Sequence, residues 1–182
     1  MEFKRSSGIL LHVSSLPGTD GIGDLGETAY AFVDFLVETN TKYWQVLPLN
    51  PTGYGNSPYQ GLSASAGNPL FIALDELVTM GLLSSSDVHR RPHFPRQKVD
   101  FSLVIPWKMG MLHRAFISFQ QNPQPDLKKQ FAAFCRSQKS WLDDFALFMT
   151  IKEKNDLQAW DRWPEGLRFR DPAALTTFLK EN

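Results

Sequence analysis

The chain has 182 residues, of which 42% are hydrophobic and 21% charged, and this composition is typical of a folded domain rather than a disordered segment. Because 19 Lys and Arg residues balance 19 Asp and Glu residues, the charge gives no reason to expect a nucleic-acid or membrane partner. The single cysteine, Cys135, cannot form an internal disulfide. We therefore expect a soluble, cytoplasmic protein.

The first fifty residues predict two strands joined by a helix. Gly8–Val13 is an apolar run between turn residues, which predicts a strand buried on both faces. Glu27–Thr39 predicts a helix, and Trp44–Leu49 predicts a second strand. The apolar face of the helix is expected to comprise Ala31, Phe32, Phe35 and Leu36. Connections of this length predict a right-handed βαβ unit.

Each predicted strand is followed by a loop rich in glycine and proline. The first loop, Ser14–Gly26, is expected to need unusual backbone angles. The second, Asn50–Asn68, has a length that usually indicates a functional or a disordered segment. Its segment Tyr54–Tyr59 offers aromatic faces and polar groups, which suit the apolar face and hydroxyl rim of a sugar ring. The residues alone leave open whether this loop binds a sugar or only caps a barrel.

From Leu70 onward the sequence predicts helices and no further strand. A short helix is expected to end near Gly81, and a polar loop is expected over Ser84–Val99. Longer helices are predicted over Trp107–Gln120, Asp126–Arg136, Ser140–Lys154 and from Pro172 onward, the last capped by Asp171. Because parallel sheets are normally larger than two strands, either further strands belong to the complete fold or the fold is an unusual α+β one. The first explanation is simpler.

Other kinds of site have weaker support. His12, Ser57 and Asp24 contain the residue types of a hydrolase triad, but Ser57 is not in a nucleophile-elbow pattern. Structural roles are therefore favoured for His12 and Asp24. His89 and His93 have no Cys or carboxylate partner at metal-ligand spacing. No metal and no cofactor are predicted.

Five collinear segments of the first seventy residues form a recognisable series: Ser6–Pro17, Gly21–Gly26, Trp44–Leu49, Gly53–Gln60 and Ala66–Pro69. These segments resemble the 4-α-glucanotransferases, the amylomaltase or disproportionating-enzyme family (glycoside hydrolase family 77). Their order and spacing also match, and the resemblance continues more weakly through Val99–Phe101 and Trp141–Phe145. Several motifs in one order are much more specific than any single motif.

The resemblance implies an α/β fold that is part of a TIM (β/α)8 barrel. Residues 1–50 would form the first βαβ unit, residues 51–69 a substrate-cleft loop, and residues 70–182 a mainly helical insertion between barrel strands 2 and 3. A TIM barrel typically takes about 250 residues. The barrel is therefore expected to be incomplete in this chain.

The resemblance also implies a function. Such an enzyme transfers α-1,4-glucan segments to glucose or maltooligosaccharide acceptors by a retaining double displacement, which needs two carboxyl groups about 5–5.5 Å apart. In the family these carboxylates lie in downstream motifs, so no Asp or Glu of this chain is assigned a catalytic role. The nucleophile and the acid–base residue are expected beyond residue 182, and the chain alone is expected to be inactive.

The family residues that map onto this chain are substrate-binding ones. They are Tyr54, Asn56, Ser57, Tyr59 and Gln60. Asn56 stands where Asp is also expected, which weakens a charge-based role for it. The expected partner is a maltooligosaccharide or α-glucan, and the sequence does not predict an oligomeric state. An alternative hypothesis is a stand-alone maltooligosaccharide-binding module without catalysis.

Overall fold

The computed structural model describes residues 5–122 and 124–181, and predictions that fall on residues 1–4, 123 and 182 lie outside these ranges. The two strands are β1, Gly8–Leu10, and β2, Tyr43–Gln45. The helices are α1, Glu27–Glu38; α2, Leu74–Thr79; α3, Ser85–His89; α4, Phe101–Gln121; α5, Pro125–Ser137; α6, Lys139–Lys154; α7, Glu165–Arg168; and α8, Pro172–Glu181. The chain divides into two compact units between Asp126 and Leu127.

The predicted strand–helix–strand order is confirmed, but both strands are shorter than predicted. β1 and β2 pair in parallel, with Ile9 opposite Trp44. The last bond of this ladder runs from the Leu11 amide to the Gln45 carbonyl, at 3.0 Å. β1 then gives way to a 3-10 turn over Val13–Ser15. Apolar character therefore extends past the strand, because Val13, the first residue of this turn, is buried in the core.

The prediction that the first strand is buried on both faces is wrong for the described residues. Gly8 and Leu10 are exposed, and Ile9 is half-buried. A strand gains two covered faces only when other elements pack on both sides of its sheet. The described two-stranded sheet has its Leu10 side chain exposed, at 57% of its full accessible surface.

α1 is confirmed, but its buried stripe matches the predicted apolar face only at Phe32 and Leu36. Ala29 and Leu36 are buried and Phe32 is half-buried, with the Phe32 ring edge-on to Trp44 at 4.9 Å between centroids. These positions follow the helical period and lie on one stripe. The predicted Ala31 and Phe35 are exposed.

The core of the first unit is centred on the loop after β1 rather than on the sheet. Its buried residues are Val13, Leu16, Ile22, Ala29, Leu70, Phe71, Phe94 and Val104. They bring the loop after β1, a 3-10 turn over Pro69–Phe71 and the first part of α4 together. Burial of this apolar surface is the main term that holds the two loops after the strands in place.

The prediction of a loop over Ser84–Val99 is wrong in part, because α3 lies within it. α3 begins with a capping box: the Ser84 hydroxyl accepts from the Asp87 amide at 3.3 Å, and the Asp87 carboxylate accepts from the Ser84 amide at 2.9 Å. α4 also begins six residues before the predicted start. The Asp100 side chain caps it by accepting from the Ser102 amide at 3.0 Å, so Pro106 lies inside the helix.

Loss of the capping box is expected to weaken the fold in a pH-dependent way. Hydrogen bonds from Ser84, with help from Arg114, lower the pKa of Asp87 to about 2. A carboxyl group with a lowered pKa stabilises the fold above its unfolded pKa of about 4, and this contribution is lost as pH falls through about 2. Ser84→Ala should cost about 1 kcal/mol near neutral pH, and the cost should shrink in acid.

Urea unfolding of the parent and of Ser84→Ala, carried out once near neutral pH and once in acid, measures the cost of the substitution under each condition. Ser85→Ala, in the first turn of the same helix, serves as the control because no capping bond uses its hydroxyl. An equal loss for both variants, or a loss that does not change with pH, would contradict the prediction.

Within its described residues, the second unit consists of helices joined by turns and short irregular segments. Trp163 is 7% exposed and packs against Phe148, with 5.4 Å between ring centroids. Asp171 caps α8 as predicted, because its carboxylate accepts from the Ala174 amide at 2.9 Å. In the parts of the chain that the structure describes, no helix has the length and apolar character needed to cross a membrane.

Candidate functional site

Residues 51–69, here named the tyrosine loop, follow β2 and close on themselves. Thr52 and Gly61 form an isolated antiparallel bridge. The Gly53 amide donates to the Gln60 carbonyl at 2.7 Å. The residues between these points therefore form a closed loop whose two ends are hydrogen-bonded to each other, rather than a disordered segment.

The tip of the tyrosine loop turns sharply through two left-handed residues. Gly55 has a φ of 73° and Asn56 a φ of 53°, and glycine and asparagine are the residues that adopt this conformation most readily. The turn leaves Tyr54 95% exposed and Tyr59 74% exposed. Two aromatic side chains are thus presented outward on a constrained backbone.

The five predicted binding residues all lie in this closed part of the tyrosine loop. Tyr54, Tyr59 and Gln60 are exposed, whereas Asn56 and Ser57 are half-buried. The Ser57 hydroxyl accepts from the Tyr59 amide at 3.4 Å. The structure therefore collects aromatic faces and polar groups in one place, and the role of each residue stays a prediction.

The far end of the tyrosine loop is anchored in the core. The Asn68 amide donates to the Leu49 carbonyl at 2.8 Å, and the Asn68 side chain accepts from the Leu70 amide at 3.0 Å. The Phe71 carbonyl accepts from the Leu25 amide at 2.9 Å. Residues 14–26, here named the β1 loop, therefore bond directly to the segment that ends the tyrosine loop.

The β1 loop is in turn held by a set of four residues, Asp20, Asp24, Trp107 and Lys108, here named the buried clamp. The Lys108 ammonium, with no exposed surface, donates to the Asp24 carboxylate at 3.1 Å. The Trp107 indole donates to the Asp20 carboxylate, also at 3.1 Å. The Arg91 guanidinium lies 3.9 Å from the same carboxylate. The clamp is not predicted from the sequence, because its partners are 84 and 87 positions apart.

The electrostatics of the clamp reflect its burial. Asp20 is 2% exposed, and the loss of water around it raises its pKa above the ordinary value of 3.8. The Trp107 hydrogen bond and the positive charges of Lys108 and Arg91 act in the opposite direction. Buried carboxylates of this kind persist in a fold only when such partners compensate them.

The structural role favoured for Asp24 agrees with its contacts, whereas the role of His12 stays a prediction. Both Asp24 carboxylate oxygens are used, one by Lys108 and the other by the Gly26 amide at 3.1 Å. The His12 ring lies edge-on to Phe71 at 5.5 Å, and burial lowers its pKa. Its Nδ1 atom has no hydrogen-bond partner among the described residues. Asp24 is thus committed to the clamp and not to a triad.

Two further observations concern metal binding and an open groove. Within residues 5–122 and 124–181, no group of three His, Cys, Asp or Glu side chains is arranged to hold a metal ion. An open groove of about 1320 Å³ is lined by residues of the β1 loop, α2 and the segment 91–99. None of the five predicted binding residues lines it. We place the candidate site at the tyrosine loop, because aromatic and polar groups suited to a ligand converge there.

Comparison with known proteins identifies the class of protein to which this site belongs. The sequence model of the 4-alpha-glucanotransferase family matches residues 11–182. The chain is 46% identical over 172 residues to the 4-alpha-glucanotransferase of Synechocystis sp., and 46% identical over 175 residues to that of Thermus thermophilus. These alignments cover 94% and 96% of this chain. The chain belongs to the 4-alpha-glucanotransferase family.

A solved structure agrees with this assignment. The amylomaltase from Streptococcus agalactiae in complex with acarbose superposes with a TM-score of 0.90 at 38% sequence identity, covering 98% of this chain. The matched region is 34% of each of the two relatives and 36% of the amylomaltase chain. The chain therefore spans about a third of the length of the proteins it matches.

Proposed function

We propose that this chain forms the first part of a 4-α-glucanotransferase, which transfers α-1,4-glucan segments to glucose or maltooligosaccharide acceptors. The single observation that carries the proposal is the closed loop that presents Tyr54 and Tyr59 outward beside polar groups. Family membership supplies the reaction class. A cytoplasmic location stays a prediction.

In this proposal β1, α1 and β2 are the first βαβ unit of a TIM barrel. Residues 51–69 form a loop of the substrate cleft, and residues 70–182 form a mainly helical insertion between barrel strands 2 and 3. The high structural similarity to an amylomaltase supports this assignment. Sites of such barrels lie on the loops that follow the strands, and the tyrosine loop follows β2.

The chemistry assigns a binding role, not a bond-breaking role, to these residues. Retaining transfer requires a nucleophilic carboxylate and an acid–base carboxyl group about 5–5.5 Å apart, and we propose that both lie beyond residue 182. Tyr54 and Tyr59 would contact the apolar faces of glucosyl rings. Asn56, Ser57 and Gln60 would hydrogen-bond to sugar hydroxyls. Such contacts hold a glucan acceptor where it can compete with water for the covalent intermediate.

Family membership favours this proposal over the stand-alone binding module. A chimera tests it: residues 1–182 of this chain are joined to the remaining part of the Thermus thermophilus relative. We expect the chimera to convert maltotriose into glucose and longer oligosaccharides, and the 182-residue chain alone to show no transfer. A folded chimera without transfer would contradict the proposal, and transfer by the chain alone would show that its own carboxylates act.

Tyr54→Ala is expected to weaken glucan binding without unfolding the chain. The side chain is almost fully exposed, so its loss removes little packing. Loss of one aromatic–sugar contact should lower affinity for maltoheptaose about fivefold to tenfold, equivalent to about 1–1.4 kcal/mol. Calorimetric or NMR titration of the 182-residue chain, which is expected to show no transfer, measures this change. Tyr30→Ala is the matched control, because Tyr30 is also exposed, at 62%, but lies on α1. Equal losses for both variants would argue against a specific role for the loop.

A further inference from the structure

The buried clamp connects α4 to the β1 loop at two consecutive helix positions. Trp107 reaches Asp20 and Lys108 reaches Asp24, each at 3.1 Å. These contacts bracket a short stretch of the β1 loop, residues 20–24. Since Lys108 has no exposed surface, water cannot replace Asp24 as its partner while the fold stays intact. The clamp therefore fixes this stretch wherever α4 is folded.

The fixed stretch is joined to the end of the tyrosine loop by a short chain of bonds. The Asp24 carboxylate that binds Lys108 also accepts from the Gly26 amide. The residue between Asp24 and Gly26 is Leu25, and its amide donates to the Phe71 carbonyl at 2.9 Å. The Phe71 amide donates to the Asn68 carbonyl at 3.0 Å. Each step is a direct contact, so a displacement of residues 24–26 would be passed to the end of the tyrosine loop.

We propose that Trp107 and Lys108 are positioning residues for the tyrosine loop, acting through Asp20 and Asp24 on the hydrogen bond between Leu25 and Phe71. Neither residue belongs to the tyrosine loop or to the predicted binding set. Their effect on glucan binding is therefore indirect. This inference rests on the proposed function for its effect on affinity, but its structural step can be tested without any glucan.

The chemistry of the clamp favours positioning over a contribution to stability alone. A buried ion pair is often no more stabilising than apolar side chains of similar volume, because both charges lose water. What the pair adds is geometric specificity, since an ammonium and a carboxylate fix one arrangement where apolar groups allow several. A second ion pair on α4, Arg114 with Asp87, joins the helix to α3 and is largely exposed on the Arg114 side. It provides an internal comparison.

The test uses the double variant Lys108→Met/Asp24→Asn in the 182-residue chain. Both charges of the pair are removed, the buried Asp20 carboxylate keeps Trp107 and Arg91 as partners, and the new amide oxygen can still accept from Gly26. Amide hydrogen exchange is followed by NMR. We expect exchange about twofold to thirtyfold faster at Leu25 and Phe71, with no change in α6, which belongs to the second unit. Arg114→Met is the matched control and should leave exchange at Leu25 and Phe71 as in the parent.

Maltoheptaose titration of the same three proteins adds the functional readout. We expect the double variant to bind about twofold to thirtyfold more weakly than the parent, and Arg114→Met to bind as the parent does. Unchanged exchange at Leu25 and Phe71, or equally faster exchange at every amide, would overturn the positioning role. So would faster local exchange with unchanged affinity. If the parent binds no glucan while local exchange rises, the positioning role stands and the proposed binding function of the loop fails.

Discussion

Lys108→Met is expected to lower the free energy of unfolding by about 3 kcal/mol, at the lower end of the range for a broken buried ion pair. The variant leaves the Asp24 carboxylate without its cationic partner in a site where Lys108 was completely buried. The cost stays at the lower end because the Asp24 side chain keeps 18% of its exposure and so retains some contact with water. Urea unfolding followed by tryptophan fluorescence measures the loss.

The double variant distinguishes a broken pair from lost packing. If the cost arises from the unpaired charge, adding Asp24→Asn to Lys108→Met should recover most of the loss, since neither charge then remains. Arg114→Met breaks a pair on the same helix whose Arg114 side is largely exposed, and pairs with an exposed partner contribute about 0–1 kcal/mol. If the double variant is as unstable as Lys108→Met, the side-chain volume of Lys108, and not its charge, carries the stability.

The sequence contained much of the architecture of the first unit. Strand, helix and strand were identifiable from two apolar runs and one amphipathic segment, because those signals are local. The lengths of the strands were not predictable in the same way. Val13 is apolar because it enters the core within a 3-10 turn, and an apolar residue looks the same in either conformation. Periodicity indicates burial, and it leaves the backbone conformation of short runs undetermined.

α3 was missed even though its signal is present. Ser84 and Asp87 have the spacing of a capping box, but Pro92 and Pro95 nearby favoured a loop over the whole segment. The start of α4 was also misplaced. The predicted start at Trp107 falls just after Pro106, a residue type that disfavours a helix interior, whereas the cap at Asp100 begins the helix before it. In both places a terminal cap was a better indicator than a nearby proline.

The tyrosine loop and the buried clamp differ in how much of them sequence can show. The five predicted binding residues lie within seven positions, from Tyr54 to Gln60, so their proximity needed no knowledge of the fold. The clamp pairs residues more than eighty positions apart, and only tertiary packing brings them together. One signal was available: between Phe101 and Leu112, Lys108 is the sole Asp, Glu, Lys or Arg residue. A lone charge in an apolar helix indicates a buried partner.

Gly23→Ala is expected to destabilise the chain by about 3 kcal/mol or more, near the upper limit for overpacking. A β-carbon at this position would lie 2.1 Å from the Val13 carbonyl oxygen and 2.6 Å from the Leu16 carbonyl oxygen. Both are backbone atoms of buried residues, Val13 just before the β1 loop and Leu16 within it, so neither can rotate away as a side chain would. The loop must shift, and the bond from the Gly23 amide to the Ser14 carbonyl, 3.2 Å long, would be strained.

Gly110→Ala should have the opposite effect and is the control for this substitution. Gly110 lies within α4, is exposed, and has no atom within 4 Å of an added β-carbon. Alanine there should raise the free energy of unfolding by about 0.5–1 kcal/mol, because glycine is the poorer helix former. Urea unfolding of the two variants beside the parent tests both signs at once. If Gly23→Ala cost less than about 1 kcal/mol, the β1 loop would be able to yield at its most crowded point, and its rigidity could not be what holds the end of the tyrosine loop.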